Sequence, residues 1–312
     1  MGREREPVAD VSGSEPAATA HEPAARVHDL GYKRYTGARR PQASRYRVIG
    51  YKFVSIAWRG RWRMKVWIIG ASFTALVIAV LMYASEGLSR FMRAGQKLPL
   101  TDALLPMSFQ FFEITAFALT MTVLASSIAG DLRTGAFEFY FSRPVRTWDY
   151  VSGKVAGAVI IVGVVLFLGP VILALVRIGL SEDVAGAVHL LPRAAFVGFL
   201  ATMVYAVMPV MFSALSSNRL HTVPAWGAFY FLTTVLVPVL SKGTDIPALE
   251  ALDIPRSIHT LAYATFDVVP LFERARPSVW VAIVGLVGYL TLGLAILYWR
   301  VSMAEKRGMG GG

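Results

Sequence analysis

Cysteine is absent from the 312 residues, which excludes disulfides and thiolate metal sites and leaves the redox compartment open. Charge is scarce: Asp, Glu, Lys and Arg make up 16% of the chain, against about 25% in an ordinary soluble domain. No GxxxxGK[ST] occurs, and the nearest stretch, Gly153-Lys154-Val155, lacks both the upstream glycine and the hydroxyl that would hold magnesium. HExxH and GxSxG are missing too, so ATP binding or catalysis by this chain is not expected. The five histidines, His21, His28, His189, His221 and His259, never stand at helical i, i+4 spacing, and no metal site is expected. His259 with Asp253 or Asp267 is the one conceivable grouping; solvated loop side chains are the plainer expectation.

What is present is oil. Hydrophobic residues make up 55% of the chain and the mean hydropathy is +0.53, the composition of a membrane protein. Six apolar runs, Val66–Tyr83, Pro106–Ala129, Val155–Val176, Ala194–Leu215, Val223–Leu240 and Val279–Tyr298, each approach the ~20 residues that cross a ~30 Å hydrocarbon core. Open strand edges are not tolerated in lipid, so the runs are predicted to be helices. Pro170, Pro209 and Pro238 lie inside them and predict kinks or broken hydrogen bonds. The weakest boundary is SSNRLH, Ser216 to His221, between the fourth and fifth runs.

Before the first run, residues 1–44 are rich in Glu, Ala, Pro, Arg and Gly without apolar periodicity and are expected to form a disordered cytoplasmic tail. A long polar lead before Val66 makes the first run an uncleaved anchor rather than a signal peptide. Residues 45–65 set Val48, Tyr51, Ile56, Trp58 and Trp62 among Arg47, Lys52, Arg59, Arg61, Arg63 and Lys65, a pattern suited to an interfacial helix in the headgroup region. A plain juxtamembrane stop is the alternative, because Gly50 and Gly60 weaken a helix. Residues 66–300 then form the membrane domain and 301–312 a flexible cytoplasmic tail.

The formal net charge of +11 is read the same way: basic residues beside apolar spans answer the anionic cytoplasmic leaflet, and nucleic acid is not an expected partner. The cluster Arg47 to Lys65, the second-to-third loop (Arg133, Arg143, Arg146, Lys154), Arg219, and Arg300 with Lys306 and Arg307 put both termini in the cytoplasm of a multi-pass plasma (inner) membrane protein.

Two places stand out against the apolar background. Glu113 is the acidic residue inside a span, where a carboxylate is costly unless it faces protein or water. It either lines a translocation path with Gln110 or sits near the outer interface, snorkelling or pairing with a loop arginine. The second place is GDLRTGAFEFYFSRPVRTWDY, Gly130 to Tyr150, where Phe137, Phe139, Tyr140, Phe141 and Trp148 alternate with Asp131, Arg133, Glu138, Arg143, Arg146 and Asp149. Such interleaving describes a short element along the membrane face with one side offered to a partner, against the simpler alternative of a solvated loop.

The order of residues here resembles the permease subunits of type-2 ABC exporters, the ABC-2 membrane family. Those subunits carry Ile-x-x-Asp/Glu-x-x-x-Gly after the second span, a short apolar-acidic helix, Arg-Pro-Val with a following Arg, and an aromatic before the Lys that opens the third span. This chain has Ile128, Asp131 and Gly135, then Phe137 and Glu138, then Arg143, Pro144, Val145 and Arg146, then Tyr150 and Lys154. The 1–44 tail is longer than usual, and Phe139, Tyr140 and Phe141 stand where aliphatic residues are commoner.

The resemblance implies an all-α integral membrane protein of six transmembrane helices, with a cytoplasmic coupling helix between the second and third. That helix would dock on an ABC ATPase subunit dimer, which holds ATP and Mg; this chain would bind no cofactor itself. Asp131, Gly135, Phe137, Glu138, Arg143, Pro144 and Arg146 would form the coupling element, Arg143 and Arg146 meeting the ATPase or lipid phosphate, and Asp131 and Glu138 complementing its basic residues. A second permease, identical or related, completes the transporter in contact with membrane lipids, and residues within 241–278 resemble short outer helices that cap the pathway. A non-transport membrane anchor or docking subunit of an envelope complex is the alternative function; a membrane-embedded enzyme would need more than Glu113. The apolar spans suit an amphipathic or lipid-like cargo, but the same residues are required to face lipid.

Overall fold

The structure is a computed structural model; it describes residues 45–60, 62–91, 99–141, 145–244, 246–271 and 277–309, all within the compact unit 41–312. The expected tail 1–44, Arg143 and Pro144 of the coupling element, and the last residues 310–312 lie outside the described residues.

Six helical stretches are long and apolar enough to cross a membrane: Arg63–Ser89, Leu100–Arg133, Thr147–Leu180, Val184–Leu215, Arg219–Thr244 and Val279–Lys306. Each outruns the corresponding apolar run at one or both ends, because a helix continues through the polar residues that carry it out of the hydrocarbon. Helix α1 (Arg45–Arg59) precedes them, and α2 (Arg63–Phe91) is the first span. The second span joins α3 (Pro99–Leu119), a π turn Thr120–Leu124 and α4 (Ser127–Arg133). Short α5 (Ala136–Phe141) follows, and α6 (Thr147–Leu166) with α7 (Leu168–Leu180) makes the third span. Helices α8 (Val184–Ala187) and α9 (Leu190–Leu215) form the fourth, α10 (Arg219–Thr244) the fifth and α12 (Val279–Met309) the sixth. Between the last two lie a 3-10 turn, Pro247–Leu252, and α11 (Ile254–Phe266). The break at Ser216–Asn218 separates α9 from α10, so the fourth and fifth runs are two helices.

Helix α9 is the axis of the bundle. From Ala201 onward it buries Ala201, Thr202, Tyr205, Ala206, Val207, Val210 and Ala214, residues on all sides of the helix, as expected for a stretch surrounded by protein. It touches α6, α7, α10, α11 and α12. The first, fifth and sixth spans are peripheral and present apolar side chains outward, among them Phe73, Val80, Val235, Val239, Trp280 and Leu292.

The interruptions differ from those the prolines predict. Pro209 and Pro238 lie within uninterrupted helices, whereas the second span, between Leu119 and Ser127, breaks at the proline-free π turn. Two tryptophans from other spans hold that turn: Trp226 Nε1 donates to Thr120 Oγ1 at 3.0 Å and Trp67 Nε1 to Thr122 Oγ1 at 3.0 Å. Ser213 Oγ of α9 accepts from the N–H groups of Ile128 and Ala129 at 2.8 and 3.1 Å, supplying α4 with the partners a new helix start lacks. A π insertion that neighbours can satisfy bends a helix as well as proline does. Pro170 does coincide with a break, three residues downstream of the α6/α7 boundary at Phe167. Pro170 cannot donate to the Leu166 carbonyl, and Gly198 of α9 comes so close there that a Cβ would lie 2.8 Å from that oxygen.

Candidate functional site

Two polar regions interrupt the apolar bundle, one at the end that carries α1 and the last turns of α12 and one towards the other end. The first is built on α6. Its opening turn is capped by the Asp149 carboxylate, which accepts from the Arg146 N–H at 3.1 Å, and Thr147 donates to Glu305 of α12. One turn on, Lys154 Nζ reaches Asp131 Oδ2 at 2.8 Å, the Tyr150 hydroxyl donates to the same oxygen at 2.7 Å, and Lys154 also donates to the Ser127 carbonyl at 3.3 Å. The Lys154 and Asp131 side chains are 7% and 22% exposed, so the pair is largely withdrawn from water. On its other side the Lys154 ammonium stands 4.7 Å from the centre of the Phe53 ring of α1. A single side chain thus ties the end of the second span, the start of the third, and α1. Asp131 is engaged within the chain by Lys154 and Tyr150.

Helix α1 reaches Lys154 because glycines let it. At Gly153 a Cβ would stand 2.7 Å from the Tyr46 carbonyl oxygen and 2.8 Å from the Ile49 Cβ, and at Gly157 one would stand 2.8 Å from Phe53 Cδ1. The same α1 exposes Tyr51, Ile56 and Trp58.

Gly135 links α4 to α5 at φ +66°, the left-handed conformation that glycine adopts without steric cost. The turn swings α5 back so that Phe137 is buried, its ring 5.0 Å from Tyr150 and 5.6 Å from Phe141, with Tyr140 5.4 Å from Tyr150. Burial, helped by the Asp131 charge, pushes the Tyr140 hydroxyl above its ordinary range. The opposite side of the segment is open: Arg133, Glu138 and Arg146 are exposed, as are Phe139 (77%) and Trp148 (62%). Of the expected coupling residues, then, Asp131, Gly135 and Phe137 build the mount, and Glu138 and Arg146 face outward.

The second region lies between α3, α10 and α11. Glu113 of α3 is 1% exposed and therefore faces protein, and His259 Nε2 of α11 lies 2.9 Å from its Oε2. This corrects the expectation for His259: it is not a solvated loop side chain but sits on a helix against the buried carboxylate, which requires a donor there. One turn earlier Arg256 lies 3.2 Å from Glu250 and 3.5 Å from Asp253, whose side chain also accepts from the Arg256 N–H at 3.3 Å as the cap of α11. Asp267, the other expected partner, closes the far end of α11 with φ 56° instead. Gln110 and Glu113 share the lining of a cavity of about 520 Å³ with Asp253, Arg256, His259 and Thr234. Sequence reading missed Arg256 and Glu250; the signal was the Asp-Ile-Pro start of a helix in the outer loop, opposite an acid that needed a partner. It also missed Arg177, buried against Glu86 at 3.2 Å and Asp102 at 3.0 Å, which joins the first three spans at their ends remote from Lys154.

Burial lifts the Asp253 carboxyl to about 6, against the pull of the Arg256 N–H and guanidinium, and the Glu113 charge adds to the rise. Its ordinary value is 3.8, so as pH falls through 6 the folded chain takes up a proton before the unfolded chain does. Stability is therefore expected to grow by about 1 kcal/mol between pH 7 and pH 5, and Asp253→Asn to remove that gain. Thermal unfolding of both proteins across this range checks the sign.

The family model described as ABC-2 family transporter protein matches residues 56–304. No curated protein matches the chain. The matched stretch runs from within α1 almost to the end of α12 and takes in nearly all of the six spans, with Asp131, Lys154, Glu113 and His259, so the chain belongs to the ABC-2 transporter family, the membrane-embedded permease components of ATP-binding cassette transporters.

Proposed function

We propose that this chain is the permease subunit of an exporter, driven by a separate dimer of ATPase subunits that docks on the face bearing Glu138, Phe139, Arg146 and Trp148. One observation carries the reading: α5 is fixed from beneath by Phe137 on Tyr150 while its outer side remains exposed, the construction of a lever rather than of a loop. The α5 segment is then the coupling helix, and α1 the interfacial helix, its Tyr51, Ile56 and Trp58 at the headgroups. The basic residues beside this end put it, with both termini, in the cytoplasm of a plasma (inner) membrane protein.

ATP and magnesium belong to the partner. Closure of the ATPase dimer presses on α5; the aromatic stack passes the displacement to α6, and the Asp131–Lys154 pair passes it to the second span and α1. Alternating access follows from tilting spans that already hold discontinuities at Thr120–Leu124 and Phe167. A second permease, identical or related, covers the outward apolar side chains of α3 and α10, among them Ile114, Phe231 and Val235, and Gln110 and Glu113 line the path between them.

The test is a detergent pull-down of the tagged chain from its native membrane, with ATPase activity assayed on the eluate. Wild type is expected to recover an ATPase, and Glu138→Arg/Arg146→Glu to lower recovery at least about tenfold, since reversing rim charges replaces attraction by repulsion. Equal recovery by both forms would remove the docking assignment, and no ATPase with either would favour an anchor or docking subunit of an envelope complex.

A further inference from the structure

We infer that the cavity between α3, α10 and α11 binds the cationic head of an amphiphilic substrate, with the Glu113 carboxylate as its counter-ion; the inference rests on the permease reading above.

Among the described residues the charges around the cavity do not balance. Three carboxylates among them, Glu113 and Asp253 in the lining and Glu250 on Arg256 just outside it, face one guanidinium, Arg256, and one imidazole, His259. Arg256 is already divided between Glu250 and Asp253, which leaves Glu113 with His259. Even with the imidazole protonated, one negative charge is left over. The surplus is also directional: among the described residues Glu113 Oε1 is buried with no hydrogen-bond donor, though its other oxygen lies against His259. A buried carboxylate oxygen without a donor is costly, and it stands on a residue that lines the cavity.

The other unpartnered atoms at the cavity, among the described residues, are two donors, Arg256 Nη1 and His259 Nε2, already 3.2 and 2.9 Å from carboxylate oxygens, and one hydroxyl. Thr234 Oγ1 is buried without a partner, and Pro238 cannot supply the N–H that the Thr234 carbonyl would receive in an unbroken helix. An anion would meet Glu113 in a medium of low dielectric, and a neutral apolar molecule would leave its oxygen unpaired. A protonated amine, or another cation with N–H donors, satisfies the oxygen and cancels the surplus at once.

The rest of the wall is apolar. Pro106, Met107, Phe111 and Ile114 line the cavity, with Phe111 42% and Ile114 61% exposed on the outward side of α3. Phe111 and Tyr263 add aromatic faces that suit a cation. About 520 Å³ holds a head group and part of a larger body, whose apolar remainder lies along the outward side of α3. Position fits as well: Glu113 is about 20 Å along the helix from Leu100, at the depth where a tail would already be in hydrocarbon.

The experiment uses the full chain in phosphatidylcholine nanodiscs and two dyes built on the same tricyclic ring, cationic rhodamine 123 and anionic fluorescein, with fluorescence anisotropy as the readout at neutral pH. Rhodamine 123 is expected to bind saturably and at least about tenfold more tightly than fluorescein. Glu113→Gln should reduce that ratio about tenfold, and Glu113→Asp, which keeps the charge, should hold it within about threefold. Reading the ratio of two dyes on one preparation cancels partial loss of folded chain. Equal affinity for both dyes, an unchanged ratio in Glu113→Gln, or no saturable rhodamine binding overturns the inference. The ATPase pull-down judges the permease reading separately: a chain that recovers its ATPase yet does not discriminate the dyes loses only the cationic site.

Discussion

Lys154→Met is expected to uncouple the transporter more completely than any change on the exposed side of α5. Methionine preserves the length and apolar stem of the side chain but removes the ammonium that Asp131, the Ser127 carbonyl and the Phe53 ring share. Asp131 would keep only the Tyr150 hydroxyl, 2.7 Å away, in a site where its charge is largely shielded from water. Removing one partner of a buried pair costs about 3 kcal/mol, because it strands the other charge. Thermal unfolding reads that loss directly, and substrate-dependent ATPase stimulation in the assembled complex should fall at least about tenfold. The control has the opposite sign. Lys154→Met/Asp131→Asn leaves no charge stranded and is expected to recover much of the stability, a coupling that a double-mutant cycle reports as strong non-additivity. Additive losses would mean that the two residues act independently, and the link from the second span to α1 would fail with them.

Gly153→Leu is expected to lift α1 from the bundle. The first atom of any side chain at this position would lie 2.7 Å from the Tyr46 carbonyl oxygen, a backbone atom that yields only if the whole helix moves. Overpacking of this kind costs up to about 3 kcal/mol, and here a terminal helix can relieve it by leaving. Because the chain has no native cysteine, spin labels at Tyr51→Cys and Trp148→Cys, both exposed positions, report the distance between α1 and α6 when labelled chains are diluted with unlabelled ones. In Gly153→Leu that distance distribution should lengthen and broaden. Gly179→Ala provides the comparison: nothing lies within 4 Å of its would-be Cβ, so the distribution should stay unchanged. An unaltered distance in Gly153→Leu would mean that α1 is held by contacts other than the glycine crossing.

The two predictions meet at Lys154, which the sequence offers only as the end of a motif. Periodicity cannot reveal its partner, since Asp131 lies on a different helix across a turn set by Gly135. Nor could Glu113 be matched to His259 from spacing, because they belong to the second span and to a helix between the fifth and sixth spans. What made Glu113 legible was its isolation: a lone acid in an apolar run requires a donor, whatever the donor proves to be. Prolines misled in the other direction. Their cost is local and visible in sequence, whereas a π turn depends on whether tryptophans and a serine from other spans arrive to satisfy it.

By itself the sequence determined the number of spans, their helical nature and the charged segment between the second and third, because each follows from run length, backbone hydrogen bonding in lipid and the expense of burying charge. Which faces of those helices meet was decided by tertiary structure alone. In spans that are apolar nearly all round, hydrophobicity has no preferred direction, and contacts are chosen by small residues, by the π turn and by a few charges that must find partners. The Asp131–Lys154–Phe53 link, the glycine crossing of α1 and the Glu113 cavity are therefore properties of packing, formed between segments that no local pattern connects.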